Sequence, residues 1–484
     1  MRYDSITEAI GGTPLVRIDP AVHGLRHIDL YAKLEMLNPF GSVKDRAAWN
    51  MARPGLTDAR ERGATVVELS SGNTAKALVV IAGMHGLSFK SVTNRMRVPE
   101  IKDLLLLLGA EIEELPGQTE CLDPTNTEDP LTLFHQKLSE PGSANLHTDQ
   151  YFNALNTEAH EAGTGPEIVA DLDGRSPDWF IACVGTAGSS TGVARVLREN
   201  DPTVRVVGLV GEKSDFIPGI RNIDEVNQVG LFDPATYDSI ETVSAEDALD
   251  GMLTLVRRCG ILSGPTGGAA YFGAVRQLRT VDAELDAELN AVADTELDAV
   301  PDAVPDTKQN VQPGSAPPQG VDTSPGTAPP APRRTAVFIV CDRVESYLSY
   351  VRQRRPELLG RPPVKNSVAT LTEAELQAAT VIDTADAQKW IAAERPLVVD
   401  LRGPFAYAAL HIEGAVNIVD ELFDELIRAG LPFSKRQPVL LACPVGEKSA
   451  QYAALLTRMG HPDVRSLAGG IIAWRDAGAP LVRD

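Results

Sequence analysis

Residues 1 to about 280 repeat one pattern: a short β-branched or apolar run, a loop of Gly, Ser, Thr or Asn, then a helical stretch. Thr65-Val66-Val67-Glu68-Leu69 leads into Ser70-Ser71-Gly72-Asn73 and an apolar helix pattern over 74–85. Trp179 to Val184 leads into a Gly/Ser/Thr loop and a helix through Arg195, and Val204 to Val210 repeats the strand signal. Strands alternating with helices need a mostly parallel sheet covered on both faces, so the spacing predicts an α/β fold. The chain is 43% hydrophobic but only 5% aromatic, enough apolar surface for such a core, and its 484 residues leave room for two or three domains.

From Val281 the composition changes. Residues 281–306 carry nine Asp or Glu and no basic residue, and 311–332 are rich in Pro, Gly, Ser and Thr. Such a stretch buries too little apolar surface to offset its ordering entropy, so disorder is expected over about 281–334. Thr335 to Val340 then reads as a buried strand whose backbone groups need a sheet. It is expected to complete a first domain, 1–355, into which the acidic segment is inserted. Residues 356–369, with three prolines, read as a connector, and 370–484 as a smaller α/β unit with strands at 397–400 and 439–442. The net charge of −21 argues against nucleic acid or an anionic membrane as partner, and no apolar run has the length of a membrane span. Five scattered cysteines without metal spacing fit a reducing, cytoplasmic protein with no metal centre.

Four stretches of the first domain carry chemistry. Ile28 to Leu34 reads as a strand, Asn38-Pro39-Phe40-Gly41 as a turn, and Ser42 as the cap of a helix starting near Lys44. A lysine held between layers at a positive helix end favours the free amine that Schiff-base chemistry needs. An ordinary surface lysine at a helix start would leave the same trace. Ser70-Ser71-Gly72-Asn73-Thr74 suits a carboxylate, through backbone N–H groups at a helix N-terminus. Gly185-Thr186-Ala187-Gly188-Ser189-Ser190-Thr191-Gly192 suits a phosphate. In Gly264-Pro265-Thr266-Gly267-Gly268-Ala269 the Thr266 hydroxyl can meet a ring nitrogen. Each loop alone also reads as a plain cap or turn. Together, a lysine, a carboxylate loop, a phosphate loop and a neutral ring-nitrogen partner specify pyridoxal 5′-phosphate.

Residues 3–280 with 335–350 resemble the cysteine synthase family of fold type II (tryptophan synthase β-like) pyridoxal phosphate enzymes. The matching motifs are Gly12-Thr13-Pro14-Leu15, the Lys44 segment, Ser71-Gly72-Asn73-Thr74, Thr164-Gly165-Pro166-Glu167 and Gly185 to Gly192. The resemblance implies a two-subdomain core and a homodimer. It implies that Lys44 forms the Schiff base and carries the α-proton, and that Asn73 bonds the cofactor's ring oxygen. By the same resemblance Ser71, Gly72, Thr74 and Gln150 hold the substrate carboxylate. Gly185, Thr186, Ala187, Gly188 and Ser189 cradle the phosphate, and Thr266 faces the pyridine nitrogen. Ala75 and Ala187 stand where glycine is usual, and Ala187 is strained if its φ is positive. The start Arg2-Tyr3-Asp4-Ser5 and the gate Arg221-Asn222-Ile223-Asp224-Glu225 resemble the actinobacterial O-phosphoserine-dependent branch, where the arginine binds the substrate phosphate. Pairing of Arg221 with Asp224 or Glu225 is the plain alternative.

In the last unit, Cys443-Pro444-Val445-Gly446-Glu447-Lys448-Ser449 follows a buried strand and opens a helix, which suits a thiolate or persulfide held by backbone N–H groups. With Asp400-Leu401-Arg402, His411 to Asn417 and Leu467 to Trp474, it resembles a rhodanese domain over about 370–484. The resemblance implies Cys443 as sulfane-sulfur acceptor within Gly446, Lys448 and Ser449, with Asp400 and Arg402 as structural or near-site groups. Lys448 stands where arginine is frequent and Glu447 adds negative charge, so a persulfide competes with thiosulfate as donor. The two resemblances together imply cysteine formation by β-replacement through an aminoacrylate. The substrates are O-phosphoserine or O-acetylserine and a sulfur donor, with a sulfur-carrier protein as a further partner. A cysteine desulfhydrase, a diaminopropionate synthase, or a sulfur-relay scaffold with an inactive first domain are the alternatives.

Overall fold

The computed structural model describes residues 2–93, 96–115, 130–138, 145–213, 215–223, 225–226, 229–298, 333–360, 367–430 and 432–483. They form two compact units: Met1–Ala47 with Ala154–Val344, and Ala48–Asn153 with Glu345–Asp484.

The first unit is built on a six-stranded sheet in the order Leu15–Arg17, Ile28–Lys33, Arg334–Ile339, Trp179–Cys183, Arg205–Gly211, Ser239–Val243. The edge strand Leu15–Arg17 pairs antiparallel and every other neighbour is parallel. Parallel strands are covered on both faces and so read as unbroken apolar runs. Ala336, Val337, Phe338 and Ile339 show this, each at most 2% exposed. The strand that follows the acidic segment therefore lies inside the sheet, as its apolar run required.

The expected start of disorder at Val281 is too early. The helix that opens at Pro265 runs to Asp298. The acidic residues of its continuation have partners distant in sequence. Asp282 is buried and accepts from the backbone N–H groups of Arg26 and His27, and Asp286 pairs with both side chains. The remainder of the expected insertion, residues 299–332, lies outside the described residues.

The second unit holds two parallel sheets. One runs Glu111–Glu114, Phe89–Thr93, Val66–Leu69, Leu146–His147; the other runs Val381–Ile382, Val464–Leu467, Val439–Ala442, Leu397–Asp400, Val416–Asn417. Of the expected connector, Pro356–Leu359 and Val368–Thr370 form single 3-10 turns, and 361–366 lie outside the described residues.

In the first unit a buried charge cluster surrounds Arg46, in the first turn of the helix Lys44–Ala52. The Arg46 guanidinium meets Glu35 at 2.7 and 2.9 Å and Glu167 at 2.7 and 2.6 Å. Glu35 also accepts from Thr13 and Asn38, and Glu167 from the Gly12 N–H. Lys33, fully buried, adds ion pairs to Glu167 and Asp171 at 2.9 and 3.2 Å. Although burial opposes ionisation, the hydrogen bonds and charge of Arg46, with Gly12 and Lys33, hold the Glu167 carboxyl down at about 2. Removing one partner of a buried pair leaves an uncompensated charge. Arg46→Ala should lower unfolding free energy by about 3–5 kcal/mol, and Arg46→Met combined with Glu35→Leu should recover most of it; urea denaturation of both variants checks this.

Candidate active site

Lys44 sits at the first position of its helix. Ser42 Oγ accepts from the Lys44 N–H at 3.2 Å, so the expected cap is present, and Asp45 accepts from Ser42 Oγ and from the Phe40 N–H. The preceding turn is sewn to the end of the inner strand: Met36 N donates to Val340 O, Val43 N to Cys341 O, and Ser42 bridges Asp342. Lys44 is half-buried overall, but its amine lies beside the buried Thr186, to whose Oγ1 it donates at 3.2 Å. Burial lowers the Lys44 pKa, with the nearby Cys341 and Asp342 pulling the other way. The amine thus has the desolvated setting that favours its neutral form.

Thr186 belongs to the loop expected for phosphate, between the strand Trp179–Cys183 and the helix Gly188–Asn200. Its Oγ1 also accepts from Asn156 Nδ2 at 3.1 Å. Ala187 takes φ 64°, ψ −7°, the left-handed conformation, so the departure from glycine there is strained as the sequence suggested. The helix begins there with no side-chain cap from Ala187, so the cap satisfies none of its first N–H groups. Gly188 is obligatory for a different reason: a Cβ there would overlap the Asn156 amide.

Thr266 is buried and donates to Pro218 O at 2.7 Å. The glycines after it serve packing: a Cβ at Gly268 would overlap the Ala248 carbonyl on the helix Ala245–Cys259. Arg221 is buried, its N–H donating to Val184 O at 2.9 Å. Its Nη1 lies 4.0 Å from Glu225 Oε2, the limit of an ion pair, while Asp224 lies outside the described residues. Lys44, Thr186 to Ser189, Thr266 and Arg221 all belong to the first unit.

The second unit carries the other predicted residues. Ser71, Gly72 and Asn73 are half-buried at the start of the helix Asn73–Met84. Thr74 Oγ1 donates to Gln150 Oε1 at 2.7 Å and Gln150 Nε2 to Leu69 O at 2.8 Å, so these two predicted partners are in direct contact. Asn73 Nδ2 donates to the Tyr347 hydroxyl at 3.3 Å. Beneath them lies a group that sequence reasoning missed. Glu68 is fully buried, accepts from Thr148 Oγ1 and from the N–H groups of Leu69 and Gln150, and is pushed up by burial to about 7. Its only sequence signal was a charge inside a buried strand pattern.

In the last sheet Cys443 follows the strand Val439–Ala442 directly. It is 2% exposed, and its Sγ accepts from the N–H groups of Gly446 at 3.2 Å and Ser449 at 3.5 Å. Gly446, at φ 89°, turns the loop into the helix Glu447–Arg458. Asp400 and Arg402 form a buried bidentate pair, with Arg402 Nη2 also donating to Leu410 O, so they tie the end of the strand Leu397–Asp400 to the end of the helix Pro404–Ala409.

Residues 6–288 match the family described as pyridoxal-phosphate dependent enzyme, and residues 383–477 the rhodanese-like domain. A cysteine synthase from Staphylococcus aureus is 32% identical over 284 residues, 57% of this chain and 89% of that protein. Cysteine synthase B from Salmonella typhimurium is 34% identical over 284 residues, 57% and 88% of the two chains. The structure of an O-acetylserine dependent cystathionine beta-synthase from Helicobacter pylori superposes with a TM-score of 0.54 at 24% identity, covering 72% of this chain and 98% of that one, a likeness of fold.

Two outcomes follow from this geometry. Ala187→Gly relieves a left-handed alanine and should stabilise the protein by about 0.5–1 kcal/mol, read as a raised denaturation midpoint. Glu68 keeps its proton to about pH 7 when folded but loses it near 4.5 when unfolded. The unfolded chain therefore binds fewer protons between these values, and stability falls as pH rises through that window. Glu68→Gln should raise the thermal midpoint at pH 8 and do so progressively less toward pH 4.5, measured by calorimetry across pH.

Proposed function

Because the chain belongs to the cysteine synthase family of pyridoxal-phosphate dependent enzymes and carries a rhodanese-like domain, we propose that it forms cysteine by β-replacement on O-phosphoserine. In this reading the sulfur is delivered through a persulfide on Cys443, and the protein acts as a homodimer. The observation that carries it is the desolvated Lys44 amine, hydrogen-bonded to a loop built for a phosphate.

The residues present fit pyridoxal phosphate: an amine of lowered pKa, a left-handed turn that opens a helix without a side-chain cap, and a hydroxyl beside it. Bound there, the cofactor supplies the electron sink that acidifies the substrate's α-carbon. Lys44 holds the cofactor, takes the α-proton and returns it at the end. Gly185, Thr186, Ala187, Gly188 and Ser189 bind the cofactor's phosphate. Thr186 accepts from Lys44 and Asn156, which directs its own proton elsewhere, toward that phosphate. Thr266 faces the ring nitrogen, toward which its hydroxyl must turn from Pro218 O, its acceptor here, and Asn73 faces the ring oxygen. Ser71, Gly72, Thr74 and Gln150 bind the substrate carboxylate, and the Thr74 to Gln150 hydrogen bond holds the pair in register.

Arg221 receives the leaving phosphate as a bidentate, permanently charged partner. O-Acetylserine is the second reading, favoured by Glu225, whose carboxylate at 4.0 Å offsets part of the Arg221 charge.

Steady-state rates with both serine esters separate these readings. Arg221→Ala should lower kcat/KM for O-phosphoserine about 10–150-fold, the worth of a charged hydrogen bond, and leave O-acetylserine far less affected. Equal losses for the two substrates would remove Arg221 from the phosphate site. Lys44→Ala should abolish turnover with either. Cysteine as product rather than sulfide or diaminopropionate, identified by chromatography, excludes the desulfhydrase and diaminopropionate alternatives.

A further inference from the structure

The rhodanese-like loop from Cys443 to Ser449 contains one basic side chain, Lys448. It is the residue before Ser449, whose N–H and hydroxyl meet Cys443 Sγ. A cation at that place is what would receive a doubly charged sulfur donor. Here it has another partner. Lys448 Nζ forms an ion pair with Asp420 Oδ2, although the lysine side chain keeps 46% of its surface in solvent. Asp420 is the buried first residue of the helix Asp420–Ala429. The Tyr452 hydroxyl, from the helix that opens at the loop, donates to Asp420 O at 3.2 Å and pins that helix start in place. One turn on, Asp424 is buried as well and pairs with Arg428 at 2.6 Å, so it adds a second carboxylate to the side Lys448 faces. Glu447 stands next to Lys448 in the loop.

We propose that Asp420 sets the donor class of this site: by neutralising Lys448 it disfavours the thiosulfate dianion and selects the persulfide of a thiol, R–S–SH. This deepens the reading of Cys443 as sulfur acceptor and rests on it. The step needs no further reactant. The Cys443 thiolate attacks the outer, sulfane sulfur; a new S–S bond forms to Cys443 Sγ, and the bond to the inner sulfur breaks. The thiolate R–S⁻ leaves with the electron pair, and the proton of the donor stays on the new Cys443 persulfide. With thiosulfate the same displacement would release sulfite, and the incoming donor would bring two negative charges to a loop whose one basic side chain is already paired with Asp420. Asp420 is thus a positioning residue acting through Lys448.

The test uses the full chain and two probes, thiosulfate and cysteine persulfide, a zwitterion apart from its sulfur. Single-turnover loading of Cys443 is followed as the mass gain of one sulfur atom, with Cys443→Ala as background. The persulfide should load faster at equal concentration. Asp420→Asn should raise the thiosulfate-to-persulfide rate ratio roughly fivefold, the upper worth of a half-exposed ion pair, and Asp420→Glu should restore it. Because the readout is a ratio within one sample, a partly unfolded variant does not disguise the result. An unchanged ratio in Asp420→Asn, or faster loading of the native chain by thiosulfate, overturns the proposal. Loading of Cys443 by neither donor overturns the sulfur-acceptor reading itself.

Discussion

The first unit turns on one guanidinium. Arg46 lies two residues after Lys44 and is held on both sides by the carboxylates of Glu35 and Glu167. Glu35 precedes the turn that leads to Lys44, and Glu167 lies on the helix Thr164–Asp171. A buried charge accepts only a narrow geometry, because any slip leaves it unpaired in a poorly polarisable medium. The cluster therefore fixes where the helix begins, and Lys44 is the first residue of that helix. Thr13, Asn38, Gly12 and Lys33 complete the shell, so the Gly12-Thr13 motif and the Thr164 to Glu167 motif are parts of the same clamp.

Two loops in this chain use the same physics for different anions. The turn at Ala187 and the turn at Gly446 both adopt a left-handed residue immediately before a helix, with no side-chain cap. Each leaves helix N–H groups to be satisfied by something negative. At Gly446 the acceptor is already present, the sulfur of Cys443 at 3.2 Å. At Ala187 the proposed occupant is the phosphate of the cofactor. Thr186 links the second case to the lysine, since its hydroxyl accepts from the amine.

The strands, the loops after them and the positions of Lys44 and Cys443 were legible because each is a local signal: apolar runs, glycine and hydroxyl clusters, and a residue type beside a helix start. The parts that were not legible depend on distant partners. Acidic residues past Val281 looked unfoldable, yet Asp282 and Asp286 find Arg26 and His27, more than 250 residues earlier, which nothing local announces. Glu68 and Arg46 sat within quoted stretches without being singled out, since burial and pairing, not residue type, give them their importance. The Gly264 to Ala269 loop read as ligand-binding, while its glycine at 268 answers to a neighbouring helix.

The inner strand Arg334–Ile339 has a temporal consequence. It pairs with Ile28–Lys33 across some 300 residues of chain, and its exit supplies the carbonyls that anchor the Lys44 turn. During synthesis, everything through Cys259 emerges with a gap at the centre of the sheet, where two strand edges lack a neighbour. Unpaired edges of this kind invite association with other chains. Closing the gap needs a very non-local contact, which slows folding. The nascent chain must therefore hold an open sheet until its last strand arrives. The Lys44 turn acquires its backbone anchors at Val340 and Cys341 only at that late moment.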